Sequence, residues 1–353
     1  MKFDGQTLAG NTGFKVGKKI LLVVVLLLLA LLPMFPNSAY LVSTVTLIMI
    51  YMALGQMWNL LGGYAGLLSL GMQAFIGIGG YSLAVFSIDA GLNIFVAVFL
   101  GGVISVLFGL VVSPALFKMT GVYFAIGTWV VAEALMIFFS NWSVVDYAKG
   151  IMIRSVYFLT GEQIYYIAVL LGVISVLVVY LLMRSKTGLA LMAIRDNPAA
   201  AESMGVKIFS TKLKCYMIAC FFTGITGGVA YINLAYITPS ASISTQWTIA
   251  MTFMVIIGGI GTMEGPIIGS IIYVALTQYL YNFPGISMTI LGAIAVAAIM
   301  VVPNGIMGTI HNKTGFELLS PRRIMPPDWK KLLGVERAKE QVEAAGDKAS
   351  KKE

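Results

Sequence analysis

Long apolar runs, separated by short polar or glycine-rich stretches, dominate the sequence. Each run approaches the roughly 20 apolar residues with which an α-helix crosses about 30 Å of hydrocarbon. Membrane-spanning strands would instead alternate apolar and polar positions over short segments. The pattern predicts an all-α polytopic membrane protein with about ten transmembrane helices. The predicted segments are 20–35, 39–61, 66–87, 92–116, 120–140, 164–183, 213–236, 246–261, 266–282 and 286–303.

The composition favours the bilayer as the solvent of this chain. Hydrophobic residues make up 59% of the sequence and charged residues 11%, whereas a soluble domain carries about 25% charged residues to keep its surface wet. Because His311 is the only histidine, no His/Cys metal cluster is expected. Cys215 and Cys220 lie five positions apart in one apolar run and would face each other poorly on a helix, so we interpret both as packing residues.

The distribution of Lys and Arg predicts the topology. The formal net charge is +8, but the cations lie between apolar runs, so nucleic acid is not an expected partner. If the N-terminus is inside, the outer segments hold only Lys149 and Arg154, as the positive-inside rule requires. Both termini are therefore predicted to be cytoplasmic. We expect a transmembrane domain at 1–310, with a cytoplasmic loop at 184–213, and a cytoplasmic polar tail at 311–353.

The first predicted segment permits a second interpretation. Lys18 and Lys19 precede an apolar run at 20–32, and a stretch ending in small residues follows at 33–39, as in a cleaved signal peptide. Cleavage would remove one span and leave every later loop on the same side. The charge count therefore leaves open whether residues 1–39 are removed.

Two glycine clusters interrupt the apolar pattern, one at 62–80 and one at 258–269. Glycine allows close helix approach and tolerates unwound backbone. Non-helical backbone at membrane depth occurs beside protein or a water-filled cavity, and discontinuous spans often mark the route of a transported solute. The alternative for the first cluster is tight helix packing without a path. The second cluster is predicted to form the cytoplasmic turn between the eighth and ninth segments.

Glu133 is the one acidic residue near the middle of a predicted span. A charge at that depth costs a few kcal/mol, so such a residue usually faces a bundle interior or a cavity. Either Glu133 lines or shapes a path, or it is a protonated or hydrogen-bonded packing residue.

The loop at 184–213 predicts a short helix. Asn197 and Pro198 form a helix start, the residues at 199–204 are mostly strong helix formers, and Gly205 is a natural stop. A rigid short helix that protrudes from the cytoplasmic face offers a binding surface to a soluble partner. An ordinary connection between spans is the alternative.

Taken together, these motifs resemble the permeases of branched-chain amino acid ABC importers. The likeness covers roughly 40–310 and rests on order and spacing. The residues that carry it are Gly62-Gly-Tyr-Ala-Gly66 with Ser69, Gly71, Phe75, Gly77, Gly79 and Tyr81; Arg195-Asp196 with Ala200-Ala201-Glu202 and Met204-Gly205; and Gly258-Gly259, Gly261-Thr262, Gly265-Pro266 and Gly269. The run Gly121–Thr128 with Glu133 is similar to the larger, M-type permease subunit. The chain departs from the pattern at Leu67, at Met72 and in the outer loop 141–163.

The resemblance implies the permease subunit of an ATP-driven importer of branched-chain or related amino acids in the inner (cytoplasmic) membrane. Its partners would be a second, H-type permease, two ABC ATPase subunits, a periplasmic or lipid-anchored substrate-binding protein and the lipid bilayer. This chain would bind no cofactor itself, and ATP and Mg²⁺ would be used by the partner ATPases. The fold would be an ABC-importer permease bundle.

The resemblance also assigns candidate residues. The short loop helix resembles a coupling helix that fits a groove of an ATPase. The candidate coupling residues are Arg195, Asp196, Pro198, Ala200, Ala201, Glu202 and Gly205. The candidate residues of the translocation path are Gly66, Ser69, Gly71, Tyr123, Thr128 and Glu133.

Two other classes of function are weighed against this one. The sequence contains no G-x-x-x-x-G-K-[ST] phosphate loop, which fits a permease subunit and fits an ion-coupled secondary transporter of a small polar solute equally well. A secondary transporter usually carries more ionisable residues within its spans. An enzyme is not expected, because the lone histidine lies in the tail and the spans contain no paired carboxylates.

Overall fold

The computed structural model describes residues 12–36, 38–283, 286–302, 304–314 and Leu319. The predicted polar tail at 311–353 lies almost entirely outside these residues, as does the start of the chain at 1–11. In the described part the molecule is an all-α polytopic membrane protein with one short strand pairing.

The helices follow one another along the chain with short connections. They are α1 (Thr12–Leu31), α2 (Ala39–Asn59, continued by a π-helical turn at Leu60–Tyr64), α3 (Gln73–Ile88), α4 (Ile94–Leu116), α5 (Val122–Ser140), α6 (Gly161–Arg184), α7 (Lys186–Asp196), α8 (Pro198–Ser203), α9 (Ile208–Leu234), α10 (Pro239–Ser242), α11 (Thr245–Gly258), α12 (Gly265–Tyr279), α13 (Ser287–Val301) and α14 (Gly305–Thr314). Single 3₁₀ turns occur at Leu32–Met34, Ser143–Val145, Tyr147–Lys149, Arg154–Phe158 and Leu280–Asn282. Strands β1 (Ile151–Met152) and β2 (Tyr236–Ile237) pair antiparallel, with Ile151 opposite Ile237.

Six of the described helical stretches are long and apolar enough to cross a membrane. They are Ala39–Tyr64, Ile94–Leu116, Val122–Ser140, Gly161–Arg184, Ile208–Leu234 and Pro239–Gly258. A helix lies within each of the ten predicted segments, but α3 and parts of α1 and α13 form shorter apolar helices. The number of about ten spans therefore stays a prediction. The third segment was expected to begin at 66, whereas α3 begins at Gln73 because residues 65–72 are irregular.

The core is built on α2 and α9, the most buried of the long helices. Helix α9 packs against α3 and α4, while α2 packs against α6 and α12. Small residues allow the close approach of α3, α4 and α9, as is usual for helix pairs in lipid. A Cβ added at Gly101 of α4 would lie 3.1 Å from the Cα of Gly79 in α3. Helix α5 is the most exposed of the six.

The bundle has two distinct ends. We call the end that carries α7 and α8 the loop end, and the end that carries β1 and β2 the strand end. At the strand end, Ser87 and Ser155 share a 2.7 Å hydrogen bond, and the Tyr236 hydroxyl donates to the Lys149 carbonyl. At the loop end, the ring of Phe117 contacts the rings of Phe124 and Phe209.

Candidate functional site

Helix α8 stands out from the loop end as a short, capped element. The Asn197 side chain accepts a hydrogen bond from the Ala200 N–H at 3.1 Å, and Pro198 occupies the first helical position, where its missing N–H costs nothing. Gly205, with φ +83°, turns the chain away after the helix. The predicted short helix is thus present, with its start and stop at the expected residues.

The candidate coupling residues of α8 are exposed, apart from one anchor. Ala201 is fully buried, and its carbonyl accepts from the Val206 N–H at 3.1 Å. Pro198, Ala200, Glu202 and Gly205 are exposed. The helix therefore offers a small, firmly seated surface, and its coupling role stays a prediction.

Arg195 differs from the other candidate coupling residues, because its side chain turns into the bundle. Its Nη1 donates to the carbonyl oxygen of Gly63 at 2.7 Å, and its Nε donates to the Asp196 carboxylate at 3.1 Å. The side chain of Arg195 is 38% exposed and that of Asp196 is 69% exposed. Asp196 thus faces outward while it also orients the guanidinium.

The first glycine cluster forms the end of α2, the irregular segment at 65–72 and the first half of α3. The Leu67 N–H donates to the Leu61 carbonyl at 2.8 Å, and the chain then leaves the helical path. The Trp58 indole donates to the Ser69 carbonyl at 3.0 Å, and the Leu70 N–H donates to the Thr128 hydroxyl at 3.0 Å. Since Thr128 lies six residues after the start of α5, the segment contacts this helix about 9 Å along its axis at 1.5 Å per residue. This is unwound backbone packed against protein, whereas the glycine pattern left open unwound backbone or tight helix packing.

The second glycine cluster forms the turn between α11 and α12, and it docks on the end of α2. The Gly261 N–H donates to the Asn59 side-chain oxygen at 2.8 Å, and the Asn59 amide donates back to the Thr262 carbonyl at 2.9 Å. Gln56 donates to the Met263 carbonyl at 2.8 Å. The two glycine clusters, far apart in sequence, are therefore in contact.

Three glycines and one arginine meet at this contact, and we call Gly63, Gly66, Gly261 and Arg195 the glycine junction. A Cβ added at Gly63 would lie 2.7 Å from the Gly261 nitrogen, so the two backbones need glycine to approach this closely. Added Cβ atoms at Gly66 and Gly261 would lie 3.1 Å from Arg195 Cγ and 3.4 Å from Arg195 Nη1. The aliphatic part and the guanidinium group of the Arg195 side chain therefore contact both glycine clusters.

The candidate path residues separate into three places. Ser69, Gly71 and Thr128 lie together, and the Thr128 hydroxyl is already used, since it donates to the Ala125 carbonyl and accepts from the Leu70 N–H. Gly66 belongs to the glycine junction. Tyr123 and Glu133 lie apart from both groups, on the exposed side of α5.

The exposed side of α5 is apolar except for Glu133, which is half-buried and accepts a hydrogen bond from the Trp129 indole at 3.0 Å. Ile126, Val130 and Ile137 lie on the same stripe at helical spacing and are exposed. We call the surface formed by Tyr123, Ile126, Trp129, Val130, Glu133 and Ile137 the α5 face. The sequence left open a path residue or a hydrogen-bonded packing residue; the bond to Trp129 is compatible with both, and both stay predictions.

A groove of about 810 Å³ lies beside the α5 face, between α4 and α5. Its lining is almost entirely apolar and includes Val111, Tyr123, Ile126 and Val130, with Lys118 and Thr120 at the connection between the two helices. The groove and the α5 face form one continuous surface.

Sequence reasoning missed a set of buried amides in the apolar helices. Gln56 and Asn59 in α2 hold the second glycine turn, and Gln73 at the start of α3 contacts Thr248 of α11. All three amides are fully buried. Their signal was present as polar residues inside apolar runs, which in membranes usually cross-link helices.

A family model described as "Branched-chain amino acid transport system / permease component" matches residues 40–302. This range includes the glycine junction, α8 and the α5 face. No solved structure gave a significant match.

Three curated relatives carry related names. The chain is 26% identical over 320 residues to the high-affinity branched-chain amino acid transport system permease protein LivM of Escherichia coli, covering 82% of this chain and 75% of that protein. LivM of Salmonella typhimurium is 25% identical over the same lengths. A probable branched-chain amino acid transport permease protein LivH of Methanocaldococcus jannaschii is 26% identical over 142 residues, covering 38% of this chain and 44% of that protein.

Proposed function

The chain belongs to the branched-chain amino acid transport system permease family, and from this premise we propose that it is the M-type permease subunit of an ATP-driven importer. Membership of this family indicates that the chain is a transport subunit rather than an enzyme. The chain is a multi-pass membrane protein. The importer would carry branched-chain or related amino acids across the inner (cytoplasmic) membrane. The names of the LivM relatives and the match over most of both chains support the substrate class.

The proposed orientation puts the loop end in the cytoplasm. The cations of the loop end include Arg184, Lys186, Arg195, Lys207 and Lys212, whereas Lys149 and Arg154 lie towards the strand end. Positive charge concentrates on the cytoplasmic side of membrane proteins. Both termini would then be cytoplasmic, and the strand end would meet the substrate-binding protein outside.

The coupling part of the proposal is supported by the position and structure of α8. It is short, capped at its N-terminus, anchored by Ala201 and otherwise exposed at the loop end. Such an element can transmit a displacement without deforming. We propose that it fits a groove of one ABC ATPase, that Asp196 and Glu202 supply polar contacts, and that the partner ATPases bind the ATP and Mg²⁺. A population shift between two arrangements of the bundle would follow from closure of the ATPases.

The α5 face is the proposed contact with the second, H-type permease. A carboxylate on an otherwise apolar helix face is costly against acyl chains and is accommodated by protein or by a water-filled path. Glu133 has this position, and the adjoining groove offers space for side chains of a partner helix. We propose that the two permeases meet here, with Tyr123 and Glu133 beside the shared path and the segment of Ser69, Gly71 and Thr128 at its cytoplasmic end.

The test is uptake by a defined assembly. The chain would be purified through an affinity tag together with a second permease and two ATPases, placed in liposomes with the binding protein, and supplied with labelled leucine. We expect uptake that requires ATP and stops when the lysine of the ATPase phosphate loop is replaced. Steady uptake by this chain alone, driven by a proton or sodium gradient, would overturn the proposal in favour of a secondary transporter.

A further inference from the structure

The end of α2 needs an external partner for its last carbonyl groups. A helix leaves its final C=O groups without intrahelical donors, and these carry the negative end of the helix dipole. Here Ala65 and Leu67 donate to the carbonyls of Leu60 and Leu61, and the chain then becomes irregular. The Gly63 carbonyl lies past this point and receives the Arg195 guanidinium instead. A cation at this position satisfies both the hydrogen bond and the dipole.

The residue that supplies this cap is fixed to α8. Arg195 is in the last turn of α7, and Asn197, two residues later, is the N-cap of α8. Helix α7 is itself seated in the bundle through buried Leu191 and Ile194. A displacement of α8 therefore moves Arg195, and with it the carbonyl to which Arg195 is bonded.

The guanidinium also joins the second glycine turn. Gly261 lies against Arg195 Nη1, and Asn59 fastens that turn to α2 through two hydrogen bonds. Gly66 follows the end of α2 and has a positive φ. It lies against the aliphatic part of the Arg195 side chain. One side chain thus contacts the end of α2, the start of the irregular segment and the turn before α12.

We infer that Arg195 is a positioning residue that caps α2 from the loop and rigidly links α8 to the irregular segment at 65–72. This inference deepens the proposed function, because it names the route by which a push on α8 reaches the bundle. The expectation that Arg195 contacts an ATPase stays a prediction, and the second arm of the test below decides between the two roles. Lysine would keep the charge at this site but lose the planar fork that reaches both Gly63 and Asp196.

The first arm of the test is independent of the proposed function. The full chain, purified with whichever subunits accompany it, would carry spin labels at Leu68→Cys and Met204→Cys, both exposed positions, while the native Cys215 and Cys220 are buried. We expect Arg195→Gln to broaden the label-to-label distance distribution and Arg195→Lys to broaden it less. Arg184→Gln is the matched control, because Arg184 ends α6 and donates to the Tyr180 hydroxyl of the same helix at 2.8 Å. An unchanged distribution in Arg195→Gln would overturn the link.

The second arm uses the assembled importer. An importer that carries Arg195→Gln should keep its ATPase subunits and most of its ATP hydrolysis, while uptake per ATP falls about tenfold. A tenfold fall corresponds to the free energy of about one charge-assisted hydrogen bond. Loss of the ATPase subunits in this variant would assign Arg195 to the ATPase contact and overturn the inference. If the wild-type assembly shows no ATP-driven uptake, the proposed function fails, and the distance measurement still decides the link.

Discussion

Asn59 and Gly261 are joined by a 2.8 Å hydrogen bond from the Gly261 N–H to the Asn59 side-chain oxygen, across 202 residues of sequence. The same amide donates to the Thr262 carbonyl at 2.9 Å, so one side chain satisfies both a donor and an acceptor of an irregular turn. Turn backbone that packs against a helix needs such partners, because the contact keeps water from its N–H and C=O groups. Asn59 is what allows the second glycine turn to sit against α2.

Removal of the Asn59 side chain should therefore lower stability clearly. Asn59→Ala leaves two half-buried backbone groups, the Gly261 N–H and the Thr262 carbonyl, without this partner, and we expect a loss of about 2–4 kcal/mol. Thermal unfolding of the chain in lipid nanodiscs measures this. Gln278→Ala is the control, since among the described residues Gln278 of α12 bonds only to side chains of α2, those of Tyr40 and Thr44, near the strand end. An equal or smaller loss for Asn59→Ala than for Gln278→Ala would contradict the role given to Asn59.

The contact between the two glycine clusters depends on the lack of a side chain at Gly63. In Gly63→Ala the new methyl group would lie 2.7 Å from the Gly261 nitrogen, so the backbones must separate. We expect poor folding, read as a lower yield of monodisperse protein and a melting temperature reduced by several degrees. Gly292→Ala places the same methyl group in open space on α13 and should leave both quantities near the wild-type values.

Local signals made α8 predictable, whereas the site around it depended on distant contacts. Asn197, Pro198 and Gly205 each fix backbone geometry within a few residues, so the short helix followed from the sequence. The glycines of the first cluster left open unwound backbone or tight helix packing, and the third segment was expected to begin at 66. The start of α3 at Gln73 was missed because it depends on tertiary contacts of the irregular segment with Thr128 and Trp58. The inward turn of Arg195 was missed for the same reason: its partner, Gly63, is 132 residues away.

The N-cap of α8 offers a test of rigidity in coupling. Asn197→Ala removes the 3.1 Å bond to the Ala200 N–H and should weaken the helix by about 1 kcal/mol, whereas Asn197→Asp retains a capping oxygen. We expect faster amide hydrogen exchange in 199–204 for the alanine variant and lower uptake per ATP in the assembled importer. Wild-type exchange and coupling in Asn197→Ala would contradict the view that α8 acts as a preformed element.

Glu133 should show opposite effects on the isolated chain and on the assembly. Glu133→Leu removes a carboxylate from an apolar face, so the chain alone should gain up to about 2 kcal/mol of stability in nanodiscs. The same change should reduce co-purification of the second permease and uptake. Glu133→Gln, which can still accept from the Trp129 indole, should lie closer to wild type in both assays. Full assembly and uptake in the Glu133→Leu variant would exclude the α5 face from the proposed interface.

The orientation of the bundle is open to a direct chemical measurement. Met204 at the loop end is 72% exposed and Phe158 at the strand end is 88% exposed, so cysteine at either position should react readily with a maleimide. With the cations of the loop end in the cytoplasm, a membrane-impermeant maleimide should label Phe158→Cys in intact spheroplasts. Met204→Cys should be labelled only after the membrane is permeabilised. The native Cys215 and Cys220 are buried and give a low background. The reverse labelling pattern would invert the topology, and α8 would then face away from any ATP-driven partner.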